Sequence, residues 1–534
     1  MERMIQWLWG IVLICSVAAA SAQTVQPSET LTELSKGRNC SVYTFNYPSV
    51  NAAGEAAVLS SALFAWTPNK RHETDSIESL HIYCHVTITS DAERPTSTDG
   101  ASQEHTLLTL FPGRDYGNFL TGGSADYVGR CIVIAPDYEG YGVTKDVPHP
   151  YLSERLTAQQ VTDAVTYGLA LYQKESRESA TLLPLKSDWR SFSIGFSQGG
   201  SVSLATHRYI EEEGLADDLH FQGSFCGAGP YDKVTTIRYY FEDDGTSYGV
   251  QTAHKKGMVT YPIVMPLILK SMCETHPDMA PYRMEDLLSQ QLLDTGVLAW
   301  IDSKAYTSSE IIKKWYEQLQ QGLDGIGSHY TPEQMGELFE SPKADKVWCK
   351  ADKMFTSAFN EYMNDISHFD TVPEEITNAP QAIHRALADN SLITGWEPQH
   401  RIQFFHSKSD MVVPYGNYLS FRDAHSYGEG DLFRVNDTFS KGDHVDSGID
   451  FLVELFTLKT YAKYFNWICE GPTTVIDNIQ RPMEDCQWSM INGQWSMING
   501  QWLSGWYTLD GRRLTTKPTA KGVYICNGRK VAVQ

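Results

Sequence analysis

Gly195-Phe196-Ser197-Gln198-Gly199 is a G-x-S-x-G pentapeptide, and its flanks constrain what can surround it. Upstream, Trp189 to Ile194 has the content of a short strand; downstream, Gly200 to Ile210 has the periodicity of a helix. A strand that becomes a helix across so few residues turns sharply. Only small residues fit two positions either side of the central serine, and the serine hydroxyl is lifted above the sheet. The helix N-terminus then faces any negative charge that develops beside it. A chain with 40 glycines can produce such a pentapeptide by chance in a loop. The strand before it and the helix after it argue against that origin.

The 534 residues suffice for one large α/β domain with an insertion, or for two or three modules, and 42% hydrophobic with 12% aromatic content is that of a globular protein. The first residues read as an export signal. Met1-Glu2-Arg3 precedes an apolar run from Ile5 to Val17, and Ala20-Ser21-Ala22 is a small-residue cleavage site, so residues 1–22 are expected to be removed. A lipoprotein site at Cys15 is the rival, but Leu13-Ile14 lacks the small residue it needs. No later segment reads as a membrane span, because Pro262 and Pro266 interrupt the best candidate, Gly257 to Met272. The expected location is therefore secreted, periplasmic or at the cell surface. A net charge of −22 argues against nucleic acid and anionic lipid as partners. Of ten cysteines, Cys15 lies in the leader, and the nine left form no C-x-x-C pair, which excludes a disulfide scaffold and a zinc ribbon. Cys84, Cys131 and Cys226 fall in expected core strands; Cys273 with Cys349, and Cys469 with Cys486, are candidate bridges.

Ser41 to Tyr47 and Ala57 to Trp66 read as leading antiparallel strands, whereas Leu80 to Val86 and Cys131 to Ala135 are short apolar runs of buried parallel strands. A helix over Thr157 to Lys174, the strand and helix around Ser197, and His220 to Cys226 continue a βαβα rhythm, which predicts an α/β fold with a mostly parallel sheet. Residues 23–230 and 393–470 are assigned to this core. Residues 231–392 read as a helical insertion, clearest at Met284 to Leu298 and Ser308 to Leu323, forming either a cap over the sheet edge or a separate helical domain. Arg401 to Phe405 and Leu432 to Val435 read as strands, and Gly448 to Tyr464 as a long helix. Residues 471–534 change character. The heptad Gln487 to Gly493 is repeated at Gln494 to Gly500, too few copies for a solenoid, and Asp510-Gly511 and Asn527-Gly528 are hairpin signals. This stretch reads as a small β appendage. Its Trp488, Trp495, Trp502 and Trp506 suit either sugar stacking or packing.

A serine hydroxyl is a weak nucleophile unless a histidine base, oriented by an acid, reaches it. Asp410 lies on a loop just past the strand ending at Phe405 and precedes Val412-Val413-Pro414. His444 lies 34 residues further, on a glycine-containing loop before the last long helix. Asp443 and Asp446 compete as the acid but flank the histidine itself, and His425 competes as the base but precedes the last strand. The backbone N–H of Gln198 is the first candidate donor to an oxyanion.

Taken in order, GFSQGG at Gly195 to Gly200, PDYEGYG at Pro136 to Gly142, SDMVVP at Ser409 to Pro414 and GDHV at Gly442 to Val445 resemble the α/β-hydrolase superfamily. The resemblance covers residues 41–466, and its nearest branch is the secretory lipases and serine esterases. It implies an α/β-hydrolase fold, a nucleophile elbow framed by Gly195 and Gly199, and Ser197, Asp410 and His444 as nucleophile, acid and base. It also implies a second oxyanion donor after the strand ending at His85. There the family shows His-Gly-Thr or His-Gly-Gly and this chain has His85-Val86-Thr87, which makes Val86 and Thr87 the candidates. The loop Asp137 to Gly142 is expected to be structural or to line the substrate. The last thirty residues are similar to tails that direct proteins to type IX secretion in some Gram-negative bacteria, which implies a secretion machinery as a partner; a hairpin packed on the main domain is the other reading.

The expected activity is hydrolysis of carboxylic esters through an acyl-enzyme, on a small-molecule or lipid substrate. A serine peptidase of the prolyl, dipeptidyl or cap-bearing aminopeptidase type shares the same three residues. An inactive surface module that binds glycans is the third reading. Tyr261, Ile263, Val264, Met265, Leu267 and Ile268 suit an acyl pocket or the core of the insertion equally. No His/Asp/Glu cluster with ligand spacing and no phosphate loop is read from the sequence, so neither a metal nor an organic cofactor is expected.

Overall fold

The computed structural model describes residues 25–37, 40–67, 76–98, 108, 130–179, 181–343, 346–365, 371–456 and 458–472, and short strand segments between 488 and 533. Residues up to 472 form one compact unit and residues from 473 a second. The signal segment and Cys486 lie outside the described residues.

Nine strands of the first unit make a single sheet. They are β1 (Thr32–Lys36), β2 (Cys40–Val50), β3 (Ala56–Trp66), β4 (Ile77–Cys84), β5 (Cys131–Pro136), β6 (Leu185–Phe196), β7 (Phe221–Gly227), β8 (Arg401–Phe405) and β9 (Phe433–Asn436). Their order is β1-β2-β3-β5-β4-β6-β7-β8-β9. β1, β2 and β3 pair antiparallel, β3 meets β5 antiparallel, and from β5 onward every pairing is parallel. The apolar runs of the parallel strands follow from burial on both faces. Along β5, Ile132 and Ile134 enter one core while Cys131, Val133 and Ala135 enter the other, the period of two that a pleated strand imposes.

Two pairs of helices cover the faces. On one lie α1 (Glu154–Glu178) and α2 (Gln198–Glu212), whose Val161, Val165, Leu169 and Val202 pack on Leu63, Leu80 and Ile134. The other face carries α6 (His444–Phe456) and α7 (Leu458–Glu470), with Phe451, Leu455, Phe465 and Ile468 against Phe192, Ile194 and Phe225. The single helix expected over Gly448 to Tyr464 is therefore two, and it starts at His444. At each pairing the strand ends that face the same way come level: Cys84 opposes Gly195, Gly195 opposes Cys226, and Gly227 opposes Phe405. The loops leaving β4, β6 and β8 start from this one edge of the sheet.

Between β7 and β8 the chain builds a separate helical layer with its own core, including α3 (Lys233–Glu242), α4 (Val264–Thr275) and α5 (Ala379–Asp389). Asp232 caps α3 by accepting from Thr235 N, and Thr307 with Glu310 forms a capping box at the helix Ser308–Gln321. Two sequence expectations are corrected here. Met284 to Leu298 is not one helix: a short turn at Met284–Asp286, a helix at Gln290–Asp294 and another at Val297–Ser303 replace it, because Gly296 at φ +89° takes the left-handed conformation that ends a helix. This layer also holds a small sheet, in which Lys346–Lys350 pairs with both Phe339–Lys343 and Met258–Val259. Cys273, Cys349 and Cys469 are free thiols, so the proposed Cys273–Cys349 bridge does not form. Of the two readings of Ile263 to Ile268, the core one holds: Ile263, Val264, Met265, Leu267 and Ile268 are buried within the layer, with Tyr261 packed against them.

In the second unit the two copies of the heptad pair with each other, Trp488–Ile491 against Gln494–Met497. A four-stranded antiparallel sheet follows. Its strands Gly522–Cys526 and Arg529–Val533 pair antiparallel, Cys526 opposite Arg529; the expected turn residues Asn527-Gly528 and Asp510-Gly511 lie outside the described residues. None of the described helices is long and apolar enough to cross a membrane.

Candidate active site

Ser197 stands between the last residue of β6 and the first of α2 with φ 57° and ψ −123°, a backbone conformation that a non-glycine residue occupies at a cost of order 1–3 kcal/mol. Close backbone contact on three sides holds it there. A methyl on Gly195 would lie 2.1 Å from the carbonyl oxygen of Gly199, one on Gly199 would lie 2.0 Å from that of Cys84, and one on Gly200 would lie 2.1 Å from that of Gly227. The Ser197 N–H donates to Gly227 O at 2.9 Å, which ties the turn to β7. Glycine is thus required by proximity of main chain to main chain.

His444, the first residue of α6, reaches this serine. Its Nε2 lies 2.8 Å from Ser197 Oγ, and its Nδ1 lies 2.6 Å from Asp410 Oδ2. Asp410 is buried, and its Oδ1 accepts from the backbone N–H groups of Val412 at 2.9 Å and Val413 at 2.8 Å. Those two bonds turn the carboxylate so that Oδ2 faces the imidazole. With the carboxylate accepting, Nδ1 carries the proton and Nε2 offers its lone pair to the serine hydroxyl. The Phe196 ring packs against the imidazole with centroids 5.1 Å apart.

The rival residues are engaged elsewhere. Asp443 pairs with Lys346, and Asp446 donates its backbone N–H to Asp443. His425 is buried between the carbonyls of Phe421 and Trp396. Gln198 heads α2 directly after the serine. Val86 and Thr87 follow the backbone of Cys84 and His85, whose carbonyl oxygens crowd Gly199; the Thr87 hydroxyl bonds the Tyr151 hydroxyl at 2.7 Å, and Val86 O lies 2.7 Å from His85 Nδ1.

Sequence reasoning missed the group that orients Gln198. Its side-chain Nε2 lies 2.8 Å from His149 Nε2, and His149 Nδ1 lies 2.7 Å from Glu139 O. A carbonyl only accepts, so Nδ1 carries the proton and Nε2 accepts from the Gln198 amide. Burial, with Lys304 nearby, holds this imidazole well below its ordinary range and keeps it neutral. Gly140, at φ +93°, lets the loop pass so close that a methyl there would lie 2.6 Å from His149 Cα. The loop Asp137 to Gly142 is thereby the support of His149, and only the fold reveals the link, since a lone histidine in His149-Pro150 carries no local signal.

Asp137, at the start of that loop, is wholly buried and accepts from the hydroxyls of Ser60 at 2.5 Å and Thr96 at 2.6 Å. Burial pushes its carboxyl up to about 6 from 3.8, against the pull of these hydrogen bonds. A folded-state value above the unfolded one means that the native state binds the proton more tightly, so stability falls as pH rises between the two values. Relative to Asp137→Asn, the wild type is expected to lose about 2 kcal/mol of unfolding free energy between pH 4 and pH 7, measured by denaturant titration at each pH. A constant difference would show that the carboxyl is not displaced.

A second cluster was also missed. No His/Asp/Glu group with ligand spacing is expected from the sequence, yet the fold gathers His207, Glu211 and His400, whose donor atoms all lie within 4.8 Å of one another. The i,i+4 spacing of His207 and Glu211 on α2 was legible; the approach of His400, 189 residues beyond Glu211, was not.

The parallel sheet between two helix layers, with its serine turn after β6, is the α/β-hydrolase fold. Among solved structures that share it is the rice cell wall degrading esterase LipA from Xanthomonas oryzae. Its ligand-bound form superposes with a TM-score of 0.53 at 16% identity, over 85% of this chain and 98% of that one. A Legionella pneumophila protein assigned as a hydrolase superposes with a TM-score of 0.51 at 17% identity, over 82% and 91% of the two chains. No family model matches the sequence, and no curated protein aligns with it significantly.

Proposed function

We propose that this chain is a secreted serine hydrolase of carboxylic esters, an esterase or lipase acting through an acyl-enzyme. The observation that carries the reading is the relay of short hydrogen bonds from Asp410 through His444 to Ser197. Ser197 attacks the ester carbonyl while His444 takes its proton; His444 returns the proton to the leaving alcohol and then activates the water that releases the acid. Asp410 holds the imidazolium, and the Gln198 N–H, with Val86 or Thr87, receives the oxyanion. The similarity in fold to an esterase agrees with this reading. Residues 1–22 supply the export signal, and the second unit is proposed as its sorting or surface element.

The test is turnover of p-nitrophenyl esters from acetate to palmitate beside proline and dipeptide anilides, with labelling of Ser197 by a fluorophosphonate. Serine-dependent ester turnover supports the reading, and its chain-length optimum separates esterase from lipase. Dominant anilide turnover would assign the protein to the peptidases, and an unlabelled, inactive serine would sink the enzyme reading.

His149 supplies a finer test. His149→Phe keeps the ring packed against Tyr138 but cannot accept from the Gln198 amide, and it is expected to lower kcat about tenfold with KM little changed. A change confined to KM would place its role in substrate binding instead.

A further inference from the structure

Glu211 sits at the far end of α2 from Ser197, and its carboxylate is unevenly satisfied. Its Oε1 has four nitrogen neighbours: the backbone N–H groups of Gln399 at 2.9 Å and His400 at 2.8 Å, His207 Nε2 at 2.9 Å and His400 Nδ1 at 2.8 Å. Its Oε2 is buried and has no hydrogen-bond partner among the described residues, and the side chain is only 3% exposed. Two backbone donors already saturate one oxygen, and an ionised carboxylate buried with its other oxygen bare is costly.

We propose that His207, Glu211 and His400 bind a divalent transition-metal ion, zinc by its ligand chemistry, in a structural site separate from the serine. Two imidazole nitrogens and one carboxylate are ligands that zinc accepts, and a positive ion held by the two imidazoles would offset the charge of a buried carboxylate whose Oε2 has no hydrogen-bond partner among the described residues. Tetrahedral bonds of about 2.0–2.1 Å set donor atoms roughly 3.3 Å apart; the two imidazole contacts with Glu211, at 2.8 and 2.9 Å, would open by a few tenths of an ångström, and all three donor atoms already lie within 4.8 Å of one another.

The surroundings have the form of a metal shell. His207 is fully buried, and its other ring nitrogen, Nδ1, lies 2.8 Å from Ser224 Oγ on β7, the outer partner that fixes a ligating imidazole. The rings of Phe221 and Trp396 stand edge-on to His207 at 5.0 and 5.7 Å, excluding water on that side. On the other side His400 borders a pocket of about 400 Å³ that also includes Asp217 and His220. Of the three ligands His400 is the one that lines this pocket, so an ion would enter from the His400 side. His207 lies ten residues along α2 from Ser197, about 15 Å by helical rise, so the ion would take no part in chemistry at the serine. Its effect would be to clamp α2, which follows the nucleophile, to the segment leading into β8, whose far end leads to Asp410.

The experiment measures zinc in the purified full chain, after dialysis against buffer with and without chelator, and follows thermal unfolding with added Zn²⁺; Co²⁺ serves as a visible-absorption probe. One zinc per chain, a Tm several degrees higher with Zn²⁺ than after chelation, and a cobalt spectrum of a tetrahedral nitrogen–oxygen site are expected. Loss of an outer-shell partner alone weakens metal binding 10- to 100-fold, so His400→Gln, at a partly exposed position, is expected to weaken it at least about tenfold. Glu211→Gln is expected to abolish the cobalt spectrum. Less than about a tenth of an equivalent of zinc with an unchanged Tm would overturn the proposal in favour of a hydrogen-bonded cluster, as would full binding by His400→Gln. None of these readouts depends on ester hydrolysis, so the site can fail while the serine reading stands, and the reverse.

Discussion

Ser197→Ala is expected to reduce kcat for ester hydrolysis by about 10⁵- to 10⁶-fold, leaving a rate still above that of the uncatalysed reaction. The size follows from what is lost together. In the proposed mechanism His444 accepts the proton of the hydroxyl 2.8 Å away, and Asp410 acts on the imidazolium that this transfer forms. Removing the serine therefore silences all three, and His444→Ala should cost about as much alone as combined with Ser197→Ala. Asp410→Asn should be milder, because the base remains but its tautomer is no longer set by an acceptor. The remaining oxyanion donors and substrate binding account for the residual rate. Protein fold is not at issue in this variant, since the serine hydroxyl is bonded to His444 alone among the described side chains and alanine relieves no packing. The kinetics of single and double variants on one ester series check the prediction, and additive losses would contradict a linked relay.

Lys233→Met is expected to lower unfolding free energy by about 3–5 kcal/mol, the range for leaving one member of a buried ion pair alone. Lys233 Nζ lies 2.6 Å from Glu154 Oε1, and the two side chains are 1% and 3% exposed. The same oxygen accepts from Ser201 Oγ at 2.5 Å, and the ammonium also donates to Asn390 O at 2.6 Å. One cation thus joins the start of α1, the first turn of α2, the start of α3 and the residue after α5, which is where the helical layer meets the sheet layers. Burial lowers the lysine's affinity for its proton while Glu154 raises it. Without the lysine, Glu154 must stay charged in a dry site or take up a proton at neutral pH; either costs several kcal/mol. Pairing Lys233→Met with Glu154→Gln removes the orphaned charge, keeps an acceptor for Ser201, and should recover most of the loss. Denaturant unfolding of the two singles and the double measures this, and a single-variant loss under about 1 kcal/mol would refute it.

Local chemistry explains which parts were legible in the sequence. Sheet strands were readable because burial on both faces demands unbroken apolar runs, as at Cys131 to Ala135, and the serine turn because close backbone approach demands glycine. That Asp410 and His444 meet Ser197 agrees with their places in the chain, one on the loop after β8 and the other at the head of α6. The links of His149 to Gln198 and of His400 to Glu211 were not readable, because each joins segments 49 and 189 residues apart with no periodic trace. The break at Gly296 was passed over because apolar spacing continued through it, while the left-handed φ that ends the helix is a backbone property. Cys273 and Cys349 looked pairable only because spacing says nothing about distance in space.

The order in which the chain is made separates the parts of the site in time. The serine turn needs only β4, β6 and β7, all complete by Gly227, whereas the base is 247 residues beyond the serine. At a ribosomal rate of about 5–20 residues per second, roughly ten to fifty seconds pass between the two. Throughout that interval the growing polypeptide has the residues of the serine turn and lacks His444. Under the proposed mechanism a chain that ends before residue 444 carries the serine turn without its base, so chain order alone makes the relay the last part of the site to be completed.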